Sequence, residues 1–146
     1  MTARQGAALY TPELLALAVA LADYPLDPAL PHEGAARSRT CGSTVKLRCS
    51  IDQERRIAAA GVQAAACAVG QAAAALFVRH APGLGVEEIA RSREELAAWL
   101  EGGERSPTWP GIEILAAARA HNARHGAILL AWDAALAALS KAEVRG

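Results

Sequence analysis

The sequence carries no surplus of charge: fifteen Lys and Arg are balanced by fifteen Asp and Glu. Nucleic-acid binding normally shows as a basic excess or a basic stripe, so that class has no support. Long apolar runs are also missing. The longest, Leu14–Ala22, has nine residues, too few to span a bilayer. Nor does it read as the core of a secretory signal, because Glu13 places a carboxylate directly before it. Cysteine is scarce: three residues, odd in number and widely spaced, which argues against a disulfide framework and for a reduced, cytoplasmic protein. Internal repeats and a low-complexity tail are absent.

A chain of 146 residues is one domain with room for a real core, taken here as 1–146 with the core from about 9 to 139. Apolar residues make up 53%, much of it alanine, so the core is one of small residues carried by Leu, Val and Ile. Thr11-Pro12-Glu13 is a helix start, with Thr11 as cap and Pro12 in the first turn. Leu14, Leu17 and Leu21 then recur with helical spacing to residue 24. Pro25, Pro28 and Pro31 impose a loop. Val45, Leu47, Cys49 and Ile51 alternate with Lys46, Arg48 and Ser50, the pattern of a half-buried antiparallel strand. Residues 56–62 return as a second strand, and 36–40 supply an edge strand. From Cys67 the chain is helical: 67–80, a short turn at 86–91, a helix over 93–101 capped by Ser92 with Glu95 as a capping box, then 111–121 and 127–141. This order predicts an α+β fold, a small antiparallel sheet of about three strands packed against helices.

Cys41 precedes Gly42, whose freedom allows a sharp turn and close approach to a ligand. Cys67 opens a helix, where unpaired amides and the dipole favour a thiolate. The two lie 26 positions apart, yet a hairpin with a short crossover brings them together. Spacing alone leaves two readings open: a soft-ligand pair for zinc or an iron–sulfur cluster, or two small buried residues.

The order of these features resembles the iron–sulfur cluster assembly scaffold family, which comprises IscU, SufU and the N-terminal domain of NifU. The family's Cys-Gly-Asp appears as Cys41-Gly42-Ser43, and its second cysteine motif as Ala66-Cys67-Ala68-Val69-Gly70. The SufU-type Arg-x-x-Cys, with tryptophan five residues on, appears as Arg124-His125-Gly126-Ala127 followed by Trp132. The resemblance runs from about Leu9 to Leu139. It implies a scaffold or carrier rather than an enzyme, which receives sulfide and iron, builds a cluster on three Cys and an Asp, and passes it on. Cys41, Cys67, Gly42 and Arg124 are its implied cluster-binding residues.

Two of the four implied ligands are replaced here, by Ser43 and Ala127. A [2Fe-2S] cluster needs four terminal ligands, and a tetrahedral zinc site needs four donors. His125, two residues before the vacant position, is the nearest replacement donor, and Ser43 offers a weaker one. A homodimer pooling Cys41 and Cys67, or a partner or small thiol, would also complete the shell. The implied partners are a cysteine desulfurase and apo iron–sulfur proteins. The chaperone-docking Leu-Pro-Pro-Val-Lys of the IscU branch is replaced by Ala120-His121-Asn122-Ala123-Arg124. Two other readings compete: a SufE-like persulfide acceptor that holds no metal and acts through Cys67 or Cys41 alone, and a regulatory paralogue that binds the same partners.

Other residues have plainer readings. Cys49 shares the parity of Val45 and Leu47 and is expected to be a buried small hydrophobe. Trp109 and Trp132 are packing anchors, and His32, His80 and His121 lie in or beside loops or helix ends. The run from Glu87 to Glu95 is an exposed helical face with i, i+4 charge pairs.

Overall fold

Thr11 and Pro12 begin the first helix as their chemistry predicts. A computed structural model describes residues 9–39 and 42–145, with side chains through position 142. Helix α1 spans Pro12–Ala20, and Thr11 Oγ1 accepts the Leu14 amide at 3.1 Å, satisfying one of the orphan donors at a helix start. A single 3₁₀ turn, Leu21–Asp23, ends this unit, and the proline-rich loop follows.

Strands β1 (His32–Arg37), β2 (Thr44–Ile51) and β3 (Ile57–Ala65) form a three-stranded antiparallel sheet in the order β1-β2-β3. In β2 the expected alternation holds: Val45, Leu47 and Cys49 are buried while Lys46 is exposed. Leu47 lies between Gly34 and Val62, and Thr44 between Arg37 and Ala65. The edge strand differs from the expected 36–40; it begins at His32 and ends at Arg37. Arg48 holds its entry, donating through Nε to the Leu30 carbonyl at 2.7 Å. β3 runs past the expected Val62 to Ala65, so the sheet reaches almost to Cys67.

Helix α2 (Ala68–His80) is the centre of the molecule, packed by α1, α4 and β3. Residues Ala72 through Val78 are all buried. Alanine is the best helix former and also the smallest side chain that adds no backbone freedom, so a helix enclosed on every side is built from it.

Helix α3 is one continuous element, Val86–Leu100, where the sequence predicted a break at Ser92. Its start is fixed instead by Glu88, whose Oε1 accepts the Gly85 amide at 2.8 Å. Ser92 is buried inside the helix, donating to the Ile89 carbonyl at 2.9 Å and accepting the Trp132 indole N–H at 3.1 Å. The ion pairs described for this helix are also not the expected i, i+4 ones: Arg93 meets Asp133 at 2.8 Å and Glu94 at 3.9 Å.

The segment expected as a helix at 111–121 is a 3₁₀ element, Ile112–Ala120. Helix α4 (Asn122–Arg145) starts earlier than the expected Ala127 and covers β1 and β2. Phe77, Trp109 and Trp132 meet with ring centroids 5.0 to 5.3 Å apart, one pair stacked and two edge-on. Trp109 also donates to the Leu76 carbonyl at 2.9 Å. Both tryptophans are the packing anchors the sequence implied, joining α2, α4 and the loop before the 3₁₀ segment. Among the described residues no helix is long and apolar enough to cross a membrane.

Candidate functional site

β3 passes through Ala66 into Cys67, which has an extended backbone (φ −68, ψ 174) and caps α2. Its carbonyl accepts the Gln71 amide at 2.9 Å, and Gln71 Nε2 reaches back to the Ala66 carbonyl at 3.0 Å. The residues around Cys67 are thus tied across the first turn of the helix. Its side chain is half-buried, and it is a free cysteine.

Ala127 lies against that same turn. A Cβ built on Gly70 would be 3.3 Å from the Ala127 Cβ and 2.8 Å from the Ala66 Cβ. Gly70 is three residues beyond Cys67, in the first turn of the helix. The position where the resemblance puts a third cysteine therefore packs beside the helix turn that Cys67 opens, and its alanine is 1% exposed.

The loop between β1 and β2 comes to the same end of the sheet. The Ser38 amide donates to the Ser43 carbonyl at 2.8 Å, and the Gly42 amide to the Ser38 carbonyl at 3.2 Å. Gly42 takes φ 72, a left-handed conformation that suits glycine, in keeping with the Cys-Gly turn. Ser43 is buried, and Thr44 after it pairs with Ala65, two residues before Cys67. Cys41, with Thr40, lies outside the described residues.

His125 lies half-buried in the first turn of α4. Its Nε2 lies 3.1 Å from the Ala118 carbonyl and 3.0 Å from the Arg119 carbonyl. Two carbonyl neighbours require Nε2 to carry the proton, so a bond to metal would fall to Nδ1. Arg124 donates through Nη2 to the Tyr10 hydroxyl at 3.1 Å, linking α4 to the residue before Thr11.

Two other titratable groups lie elsewhere. Cys49 is 0% exposed under the sheet, and burial pushes its thiol up to about 11, which fits the expected inert hydrophobe. His80, at the far end of α2, has its pKa lowered by burial and by Arg79. Among the described residues no group of three or more His, Cys, Asp or Glu side chains is placed to hold a metal ion.

One neighbouring feature escaped the sequence. A trough of about 500 Å³ lies on the sheet beside β3's exit, lined by Arg37, Thr44, Lys46, Gln63 and several alanines. The outward parity of Lys46 was visible, but not the pairing that sets Ala35 and Gln63 beside it. The small residues of β1 and β3, Ala35-Ala36 and Ala64-Ala65, were the available signal.

The model of the "NifU-like N terminal domain" matches residues 24–145. No curated protein matches the sequence. Among solved structures the chain is similar to the N-terminal part of a nitrogen-fixing NifU-like protein from Brucella abortus. There the TM-score is 0.85 at 21% identity, covering 97% of this chain and 99% of that one. It is also similar to a putative iron–sulfur cluster assembly scaffold protein for the SUF system from Fervidobacterium islandicum. That match has a TM-score of 0.77 at 17% identity and covers 90% of this chain and 96% of the other.

Proposed function

The chain belongs to the NifU-like N-terminal domain family, and from that membership we propose that it is a scaffold of iron–sulfur cluster assembly. Iron and sulfide are its cargo, held by the thiolates of Cys41 and Cys67 and passed to apo iron–sulfur proteins after a cysteine desulfurase has supplied the sulfur. The cytoplasm is the proposed setting. One observation carries the reading: a half-buried free cysteine stands at the N-cap position of the central helix, and position 127 packs against the turn it opens. Arg124, at the start of α4, places a positive charge on the element that carries position 127.

The ligand set is incomplete within one chain, since Ser43 and Ala127 stand where a carboxylate and a thiolate would be. His125 would contribute through Nδ1. A second copy in a homodimer would contribute its own pair of thiolates, and so complete a four-sulfur shell suited to [2Fe-2S] or to zinc.

The alanine at position 127 also favours a second reading, a persulfide carrier. In that case the Cys67 thiolate attacks the terminal sulfur of a donor persulfide. The new S–S bond forms on Cys67 as the donor's S–S bond breaks, and the donor cysteine leaves as thiolate. No metal takes part.

Anaerobic reconstitution with iron and sulfide separates the two. The scaffold reading expects a visible charge-transfer band and bound iron that are lost in Cys41→Ser and in Cys67→Ser. Sulfur uptake without iron, dependent on one cysteine, would replace that reading with the carrier. Neither product would remove both.

A further inference from the structure

The outer face of the sheet is closed at one end and open at the other. Three rows of outward residues cross it: Glu33-Arg48-Gly61, Ala35-Lys46-Gln63 and Arg37-Thr44-Ala65. The first row is covered at Gly61 and engaged at Arg48, while the Glu33 side chain at its β1 end stays 44% exposed. Arg48 is engaged by the Leu30 carbonyl and by Glu33 at 3.7 Å. The Pro25 carbonyl lies so close to Gly61 that a Cβ there would be 2.0 Å from it. The loop from Pro25 to Leu30 is thus an end wall over β2 and β3, and the other two rows line the trough of about 500 Å³.

The chemistry of the trough is one-sided. Alanines make up much of its lining, and among the described residues its charges are Arg37 and Lys46 and no carboxylate lines it. Among the described residues neither cation is ion-paired. The volume falls in the range of small-molecule sites, about 300–1,000 Å³. The end wall favours a ligand with an end of its own over a protein strand that must run through. The trough also leads to the sulfur site. β3 leaves it at Ala65, and two residues of extended chain put the Cys67 Cα within about 7 Å of the Ala65 Cα.

We infer that this trough binds a small anionic peptide thiol, its carboxylates on Arg37 and Lys46 and its sulfur at the Cys67 end. The ligand supplies the soft donor that Ala127 does not. This donor role rests on the scaffold reading, whereas recognition of the carboxylates does not.

Reduced glutathione is the probe, titrated into the metal-free protein and followed by calorimetry or by amide shifts on β1 and β3. Arg37→Ala and Lys46→Ala are each expected to weaken binding roughly tenfold, and Lys46→Glu to abolish it. Both side chains are exposed, so the variants should keep the fold, with circular dichroism as the check. S-methylglutathione should bind as glutathione does, and 2-mercaptoethanol should not compete. In reconstitution, glutathione should raise cluster yield in the native protein but not in the Arg37→Ala/Lys46→Ala variant, and S-methylglutathione should not raise it.

Absence of glutathione binding, or affinity unchanged in the charge variants, overturns the trough assignment while leaving the scaffold reading intact. Cluster yield indifferent to glutathione overturns the donor role. Binding that depends on Arg37 and Lys46 in a protein that never builds a cluster would keep the anion site and remove the scaffold reading.

Discussion

Restoring a thiol at position 127 tests the geometry most directly. Ala127 packs against the first turn of α2, beside the sites of Gly70 and Ala66. In Ala127→Cys one sulfur enters a slot whose present side chain is 1% exposed. Overpacking of that kind costs about 1–3 kcal/mol of stability, which a folded domain of ordinary stability survives. The gain is a third thiolate beside Cys67. Four-donor zinc sites contribute roughly 10–16 kcal/mol of binding, so one donor in four is worth about 2.5–4 kcal/mol. At 1.4 kcal/mol per decade, zinc affinity should rise about 60- to 700-fold. Competition against a chromophoric chelator at neutral pH reads the affinity, and urea denaturation reads the stability. The same substitution in a Cys67→Ser background should lose most of the gain, because the two donors act together. A folded Ala127→Cys protein with unchanged zinc affinity would refute the idea that positions 67 and 127 face one site. A gain that persists without Cys67 would refute it equally.

Other substitutions test the frame around this site. Phe77→Ala removes a fully buried ring from the cluster with Trp109 and Trp132 and should cost about 3–5 kcal/mol in chemical denaturation, with a shift in tryptophan emission. A cost below about 1 kcal/mol would mean the three rings do not form a packed unit. Gly70→Ala places a Cβ 2.8 Å from that of Ala66 and 3.3 Å from that of Ala127 and should destabilise by about 1–3 kcal/mol, whereas a neutral result would contradict the tight packing at this turn. Cys49 ionises near 9.0 when unfolded and about 11 when folded. Its contribution is intact below pH 9 and is lost as pH rises to 11, by roughly 3 kcal/mol in all. The alkaline fall in stability should therefore be shallower in Cys49→Ala, and an identical slope would place the thiol in contact with water. Native protein treated with a bulky disulfide reagent at mildly alkaline pH should likewise modify Cys67 and spare Cys49 until denaturant is added.

Much of the fold could be read from local pattern. Thr11-Pro12 marked the first helix, and the alternation through Val45, Leu47 and Cys49 marked the central strand, because both signals are intrinsic to neighbouring residues. The two flanking strands were harder. β1 reads His-Glu-Gly-Ala-Ala-Arg and the end of β3 is largely alanine, so neither has the β-branched side chains that advertise a strand. They are strands because β2 pairs with them, and pairing lies outside any local window. Ser92 misled for a related reason. Ser92 with Glu95 imitates a capping box, while the hydroxyl donates to the Ile89 carbonyl and accepts from the Trp132 indole, forty positions away. At the site, the helix opened by Cys67 and the turn at Gly42 were legible. The approach of Ala127 to Gly70 followed only from family resemblance, since it depends on how α4 crosses α2. The direction of the His125 ring, turned toward the carbonyls of Ala118 and Arg119, had no signal in the sequence at all.

The enclosure of α2 has a mechanical consequence. A rod gripped through its middle, here from Ala72 to Val78, transmits displacement to its tip. Added bulk at Ala73 or Ala74, deep in the interior, has little room for local relief, so part of the strain should emerge as axial movement of the Cys67 sulfur. Interior substitutions along this helix should therefore alter the reactivity of the Cys67 thiol before they unfold the protein.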